Sequence, residues 1–296
     1  GTGIGDLFDV TIMPVVGDVT YSRGDGVNPY SGMWSFADRS KEVARPGYYS
    51  VPVMRYNVLA EMTATSRVGY HRYTFPSSDQ AAIVIDLQNG GCWDRVIKSE
   101  MRVEGNNRIV GERHSSGWAR RQSVYFVAEF SKPFDTFEVK NTHYGRANFS
   151  TKEGEKIMMK VAISPVSIEG AKANLASELP KWPKLESVVA KAEKLWTAEL
   201  EKAQIESHEP NAKRIFYTAL YHTMVAPSVF CDVDGSYRGA DGETHPNPGH
   251  TTYTTYSLWD TYRAQMPLLS ILHPEKMGGM INTMLNIHDE QGRLPV

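Results

Sequence analysis

Cysteine is nearly absent from this chain of 296 residues: Cys92 and Cys231 stand alone and far apart. Two distant thiols build neither a disulfide framework nor a cysteine-based zinc site, and they leave the redox compartment open. Long apolar runs are missing too. No stretch approaches the roughly 20 residues of a membrane-spanning helix, and the N-terminus lacks the basic and apolar regions of a signal peptide, so a soluble protein without a membrane span is expected. Neither charge is in excess. With 32 basic and 34 acidic side chains, a net charge of -2 and no Lys/Arg run, nothing is arranged to neutralise a phosphate backbone, and nucleic acid is excluded as an expected partner. Aromatics, by contrast, are plentiful. Six Trp, fifteen Tyr and ten Phe suit a carbohydrate site and equally suit any β-rich core.

The length favours two domains over one large core, and two textures meet near residue 165. Before it, short runs alternate with period two. The clearest is Ile97-Lys98-Ser99-Glu100-Met101-Arg102-Val103-Glu104, and similar runs fall at 48–53, 58–65, 68–75, 81–87, 123–130, 134–140 and 156–163. Turn clusters such as Asn89-Gly90-Gly91 separate them, which predicts an antiparallel β-sandwich. After residue 165 the period lengthens. Leu185, Val188, Val189, Ala192, Leu195, Trp196 and Leu200 recur at helical spacing. A further helix is predicted to open at Pro210, another to run from 257 to about 272, and another to start at Pro274. The predicted fold class is therefore α+β multidomain. A β-sandwich spans 1–165, a helical linker 166–205 and a helical domain 206–296. The chain begins Gly1-Thr2-Gly3 without Met and stops at Leu294-Pro295-Val296 just past a helical pattern. Both ends read as cut, with the first strands and much of the helical domain missing.

One stretch carries most of the chemistry: Ser257-Leu258-Trp259-Asp260-Thr261-Tyr262-Arg263. An indole covers the C–H face of a pyranose, and a carboxylate and a guanidinium read its hydroxyls. The same residues also spell a capping box, with Asp260 returning to the Ser257 backbone N–H and Trp259 and Tyr262 merely packing. On residue chemistry alone the structural reading stands ahead. Gly1-Thr2-Gly3-Ile4-Gly5-Asp6 is no nucleotide loop, because Asp6 replaces the last glycine and no βαβ pattern follows. The loop 230–243 has oxygen ligands at calcium-hand spacing, yet Tyr237 stands where that loop needs Gly, so a turn-rich surface loop is expected. His245 and His250 are read as exposed loop residues. Asp289 and Glu290, ahead of Gly292, are read as solvated charges at a helix end.

Several segments together resemble glycoside hydrolase family 92: Gly1–Asp6, Pro46-Gly47-Tyr48-Tyr49-Ser50-Val51, Ala60-Glu61-Met62-Thr63-Ala64-Thr65-Ser66-Arg67-Val68-Gly69-Tyr70-His71-Arg72-Tyr73, Phe216-Tyr217-Thr218-Ala219-Leu220-Tyr221 and Tyr256 to Arg263. Order and spacing match along nearly the whole length, and this reverses the preference at 257–263. The resemblance implies a calcium-dependent, inverting exo-α-mannosidase in which a β-sandwich and helical linker precede an (α/α)6 barrel. Its substrates would be α-mannoside oligosaccharides or N-glycans, and its location periplasmic, cell-surface or secreted. It implies substrate contacts at Asp260, Trp259 and Arg263, with Trp34 and Asp6 as further candidates. The resemblance places the family's general acid and base on segments beyond Pro295, and its calcium ligands chiefly there. No catalytic or metal residue is therefore expected in this chain, which should be inactive without the C-terminal part. Alternatives are another (α/α)6 carbohydrate enzyme, such as a glucoamylase-like hydrolase or a disaccharide phosphorylase, or a non-catalytic carbohydrate-binding fragment.

Overall fold

The computed structural model describes residues 7, 9–28, 30–90 and 94–295, which divide into two compact units, one within 7–192 and one within 193–295. In the first unit the described strands run in order β1 (Thr11–Val16), β2 (Val43–Arg45), β3 (Tyr48–Val53), β4 (Val58–Ala64), β5 (Val68–Phe75), β6 (Ser78–Asp86), β7 (Arg95–Glu104), β8 (Arg108–Ser116), β9 (Gln122–Phe130), β10 (Thr136–Lys140), β11 (Tyr144–Thr151) and β12 (Glu155–Ser164). Helix α1 (Ile168–Glu178) and the first half of α2 (Leu185–Leu200) follow. The strands form two antiparallel sheets, ordered β1-β6-β11-β10 and β2-β3-β4-β5-β12-β9-β8-β7.

Alternation decides which face of each strand is buried. Tyr73 and Phe75 on β5, Phe126, Ala128 and Phe130 on β9, and Ile157 and Met159 on β12 join Ile83, Ile85, Ala147 and Phe149 of the smaller sheet in one core. Phe130 and Phe149 meet with ring centroids 5.6 Å apart. Each Phe, Ile or Met of this core that is removed from water contributes about 1.5–3 kcal/mol, and each Ala less. The other face of the larger sheet is apolar as well. Val68, Tyr70, Val110, Val127 and Ala162 pack against Ala171, Leu175, Leu185, Val188 and Val189 of the helical segment. Ser167 caps α1 by accepting from the Gly170 N–H at 3.0 Å. Arg72 reaches Glu61 and Glu186, each at 2.6 Å, and so ties β4 and β5 to the start of α2.

The second unit holds α3 (Ala212–Thr223), β13 (Ser228–Val229), β14 (Tyr237–Arg238), β15 (Thr244–His245), β16 (Tyr253–Thr254), α4 (Leu258–Thr261), α5 (Gln265–Leu272) and α6 (Pro274–Gln291). Two short ribbons, β13 with β16 and β14 with β15, fill the long connection after α3. Tyr253, Tyr256, Leu269 and Met280 form the local core. No helix among the described residues is long and apolar enough to cross a membrane.

The sandwich followed by helices is the predicted class. Three local expectations are corrected. The helix expected from 257 to 272 is broken at 262–264, between α4 and α5, where Pro267 in the first turn of α5 has no N–H to donate to the Arg263 carbonyl. Pro210 does not open α3, whose cap residue is Asn211. Strands β1, β2, β8 and β11 lie where no period-two run was read. Pro274, in contrast, does open α6, and Gly292 closes it at φ 78°.

Candidate functional site

The segment 257–263 is a single helical turn held from below. Ser257 is buried, and its carbonyl accepts from Asp260 N, Thr261 N and Thr261 Oγ1 at 3.2, 3.0 and 2.9 Å. Tyr256, also buried, donates its hydroxyl to the Met280 carbonyl at 3.0 Å. The Tyr253 N–H donates to Thr283 Oγ1 at 3.3 Å, and that hydroxyl in turn donates to the Gly279 carbonyl at 2.8 Å. Gly279 permits the approach of α6: a Cβ there would sit 2.9 Å from the Thr251 carbonyl oxygen.

With Ser257 and Thr261 turned inward and Leu258 packed against the local core, the turn displays its remaining side chains. Trp259 is 68 % exposed and Tyr262 60 %. Asp260 and Arg263 face solvent as well, and the Arg263 guanidinium lies 5.2 Å from the centre of the Tyr262 ring. The capping-box reading is corrected here. Ser257 makes no side-chain cap and instead donates its hydroxyl to Asp260 Oδ2 at 3.1 Å, while Trp259 and Tyr262 are exposed. One carboxylate oxygen is thus oriented by Ser257, and the carboxylate stays open to a ligand hydroxyl beside a bare indole.

Trp34 belongs to the other unit. It is half-buried, with its ring edge-on to Phe36 at 4.5 Å. Arg55, which the sequence did not single out, pins its segment by donating to the carbonyls of Gly32 and Trp34 at 2.8 and 3.1 Å. Asp6 lies outside the described residues.

A second constellation surrounds Glu290, which is not the solvated charge expected. Its side chain is 8 % exposed; Tyr237 Oη donates to Oε1 and the Ala240 N–H to Oε2, each at 2.7 Å. Burial and the neighbouring Glu290 carboxylate push the Tyr237 hydroxyl well above its ordinary range. His245 stacks on Tyr237 at 5.2 Å and meets Asp241 at 3.0 Å, and His250 meets Asn286 at 3.3 Å. Both histidines are half-buried and engaged, not exposed. Asp289 is the solvated member of its pair, at 81 % exposure. The loop 230–243 is rich in turns, as read, but it buries Asp232 and Tyr237. The signal for this cluster was Tyr237 itself, a bulky aromatic among turn residues. Among the described residues no group of three or more His, Cys, Asp or Glu is placed to hold a metal ion. The calcium that the resemblance implies has no fitting ligand set there.

A β-sandwich followed by helices, with an indole and a carboxylate exposed side by side, is compatible with a carbohydrate-active protein. The family is fixed by sequence: the glycosyl hydrolase family 92 N-terminal domain matches residues 1–164 and the family 92 catalytic domain residues 170–296, so the chain belongs to glycosyl hydrolase family 92. It is similar to the family GH92 α-mannosidase BT3965 from Bacteroides thetaiotaomicron, with 34 % identity and a TM-score of 0.92, covering 100 % of this chain and 42 % of that one. The same enzyme is known in complex with mannoimidazole. The fold is shared with the inverting mannosidase BT2199 of the same organism, at 24 % identity and a TM-score of 0.82, covering 97 % of this chain and 39 % of that one. The chain spans about two fifths of the length of these relatives. No curated protein matches it.

Proposed function

We propose that this chain is part of an exo-acting α-mannosidase that removes terminal mannose from N-glycan or mannan chains with inversion. The observation that carries the reading is the 34 % identity to an α-mannosidase along the whole chain, which includes the displayed turn at 257–263. In this reading Trp259 covers the C–H face of the terminal mannose, Asp260 accepts from its hydroxyls, and Arg263 donates to them. Trp34 and Asp6 are further contacts from the N-terminal region.

Inversion needs a carboxylic acid to protonate the leaving oxygen and a carboxylate to activate water on the opposite face. Glu290 is a poor candidate for either, since both its oxygens are occupied by Tyr237 and Ala240. Acid, base and calcium ligands are proposed to lie outside residues 1–296, so this chain is inactive alone. The domain limits proposed are 1–165, 166–205 and 206–296. The substrates point to a periplasmic, cell-surface or secreted location.

Anomer-resolved NMR of mannose release from α-mannobiose, with and without EDTA, tests the proposal on residues 1–296 and on the longer parent protein. EDTA-sensitive release of β-mannose by the parent alone is expected. Release by residues 1–296 would overturn the placement of the carboxylates, and phosphate-dependent turnover would indicate a phosphorylase instead.

A further inference from the structure

A groove of about 730 Å³ opens on the first unit, over the smaller sheet, within the size range of small-ligand sites, about 300–1,000 Å³. Its floor is Arg146 on β11, 7 % exposed, whose Nε donates to Asn148 Oδ1 at 2.7 Å and whose Nη2 donates to the Gly17 carbonyl at 3.0 Å. Nη2 also reaches the Gln80 carbonyl at 3.5 Å, and among the described residues no hydrogen bond is made by Nη1. Asn148 is fixed in turn by donating to Thr136 Oγ1 at 2.9 Å. The backbone that closes one side is held by the Gly17 N–H donating to the Gln80 carbonyl at 3.0 Å. Tyr21, half-buried and tilted on Tyr144 at 5.5 Å, contributes an aromatic wall.

The lining selects a class of ligand. Glu138 pairs with Lys140, and Asp135 accepts from the Ser150 N–H and hydroxyl at 2.7 and 2.8 Å; with Asp18, Asp79 and Arg146 the lining carries four carboxylates and two cations, an excess of two negative charges that disfavours phosphates and other anions. Two cations among the carboxylates also disfavour a bare metal ion, and no metal-holding group was found among the described residues. Val19 is the one aliphatic side chain of the lining, too little for an apolar ligand. Orientated carboxylates, an amide, a guanidinium and an aromatic wall together match a neutral polyhydroxylated ligand, whose hydroxyls donate and accept in pairs. We propose that this groove is a second, non-catalytic binding site for a neutral oligosaccharide, built from residues other than those of the turn at 257–263. The choice of mannan as first probe rests on the proposed mannosidase activity; the groove itself does not.

Gel electrophoresis of the parent protein in matrices containing yeast α-mannan, xylan or dextran tests it, each variant being referred to its own mobility in a plain gel. All proteins carry Asp260→Asn to silence the other site. Retardation is expected in mannan, with at least tenfold weaker apparent affinity after Asn148→Ala or Asp79→Ala. Asp79 is exposed, so its variant tests the groove without disturbing the fold. Retardation in xylan or dextran but not mannan, lost in the same variants, would keep the groove and sink the mannose reading. No retardation in any matrix, or retardation unchanged by both groove variants, would overturn the groove proposal.

Discussion

Arg113 is the most completely buried charge on the sandwich, at 0 % exposure on β8. It donates to Asp9 Oδ1 and Asp94 Oδ2, each at 2.6 Å, and to the Leu87 carbonyl at 2.7 Å. Even with that partner, burial holds the Asp9 carboxyl above its ordinary range, so desolvation outweighs pairing there. Replacement by a neutral side chain leaves the Asp9 carboxylate buried without a counter-charge. Arg113→Met is therefore expected to lose about 3–5 kcal/mol of stability, seen as a lower urea midpoint; a loss under 1 kcal/mol would mean that water reaches the carboxylates. Trp259 is the opposite case. At 68 % exposure it supports little, so Trp259→Ala should change stability by no more than ~0.5 kcal/mol while weakening mannose binding by the parent about tenfold, the worth of a ring stack. Calorimetry separates these effects, and an unfolding shift with intact affinity would return Trp259 to a packing role. The unusual neighbours of Trp259 drew attention to it, but residue chemistry alone favoured a packing role, and only the family likeness made it a candidate contact. It hid Arg113, since a charge in a strand reads as a solvent-facing position until the covering segment is known.

At the scale of elements, strands with one wet face were legible and those with special packing were not. Strand β7 alternates charged and uncharged residues and was read directly, although only Ser99 and Met101 of its uncharged side are buried and Ile97 and Val103 stay exposed, whereas β8 carries Gly111 and the inward Arg113, and β11 carries Gly145, Arg146 and Asn148. These glycines are packing devices. A Cβ at Gly111 would lie 2.3 Å from the Glu100 carbonyl oxygen and 2.7 Å from the Phe126 ring, and one at Gly145 would lie 2.8 Å from the Phe137 ring. Backbone cannot yield as a flexible side chain does. Gly111→Ala should thus part β7 from β8 at the Glu100 pair and cost about 1–3 kcal/mol, the usual range for overpacking. Hydrogen exchange would register this as loss of protection on β7 with β12 unchanged; uniform protection would show that the sheet absorbs the methyl. Helix ends were legible where Pro and Gly mark them, as at Pro274 and Gly292. The split between α4 and α5 was missed because apolar spacing continues through 262–264 while the backbone does not.

For the whole molecule, composition and period fixed the order of sandwich and helices, and family likeness carried the site. What neither could supply is the electrostatic state of the interior, which sets how stability responds to acid. His71 lies on the core-facing side of β5, hydrogen-bonded through Nδ1 to the buried Tyr73 hydroxyl at 2.8 Å, and Gly69 leaves room for its ring, since a Cβ there would sit 2.9 Å from Nε2. Burial lowers its pKa from 6.5 to about 4. Between those values the unfolded chain binds a proton that the folded one refuses, so stability falls as pH drops through that window, by up to about 3 kcal/mol. His273, also held below its ordinary value by burial and by Lys202 and Lys276, acts with the same sign in the other unit. Asp9, held above its ordinary value, acts with the opposite sign and softens the slope at the acid end. Urea melts of His71→Phe and of the unaltered protein at pH 7, 6, 5 and 4.5 isolate the first contribution. The variant should lose markedly less stability between pH 6.5 and 4.5, whereas parallel curves would show that His71 takes up its proton in the folded state and that the acid response belongs to other groups.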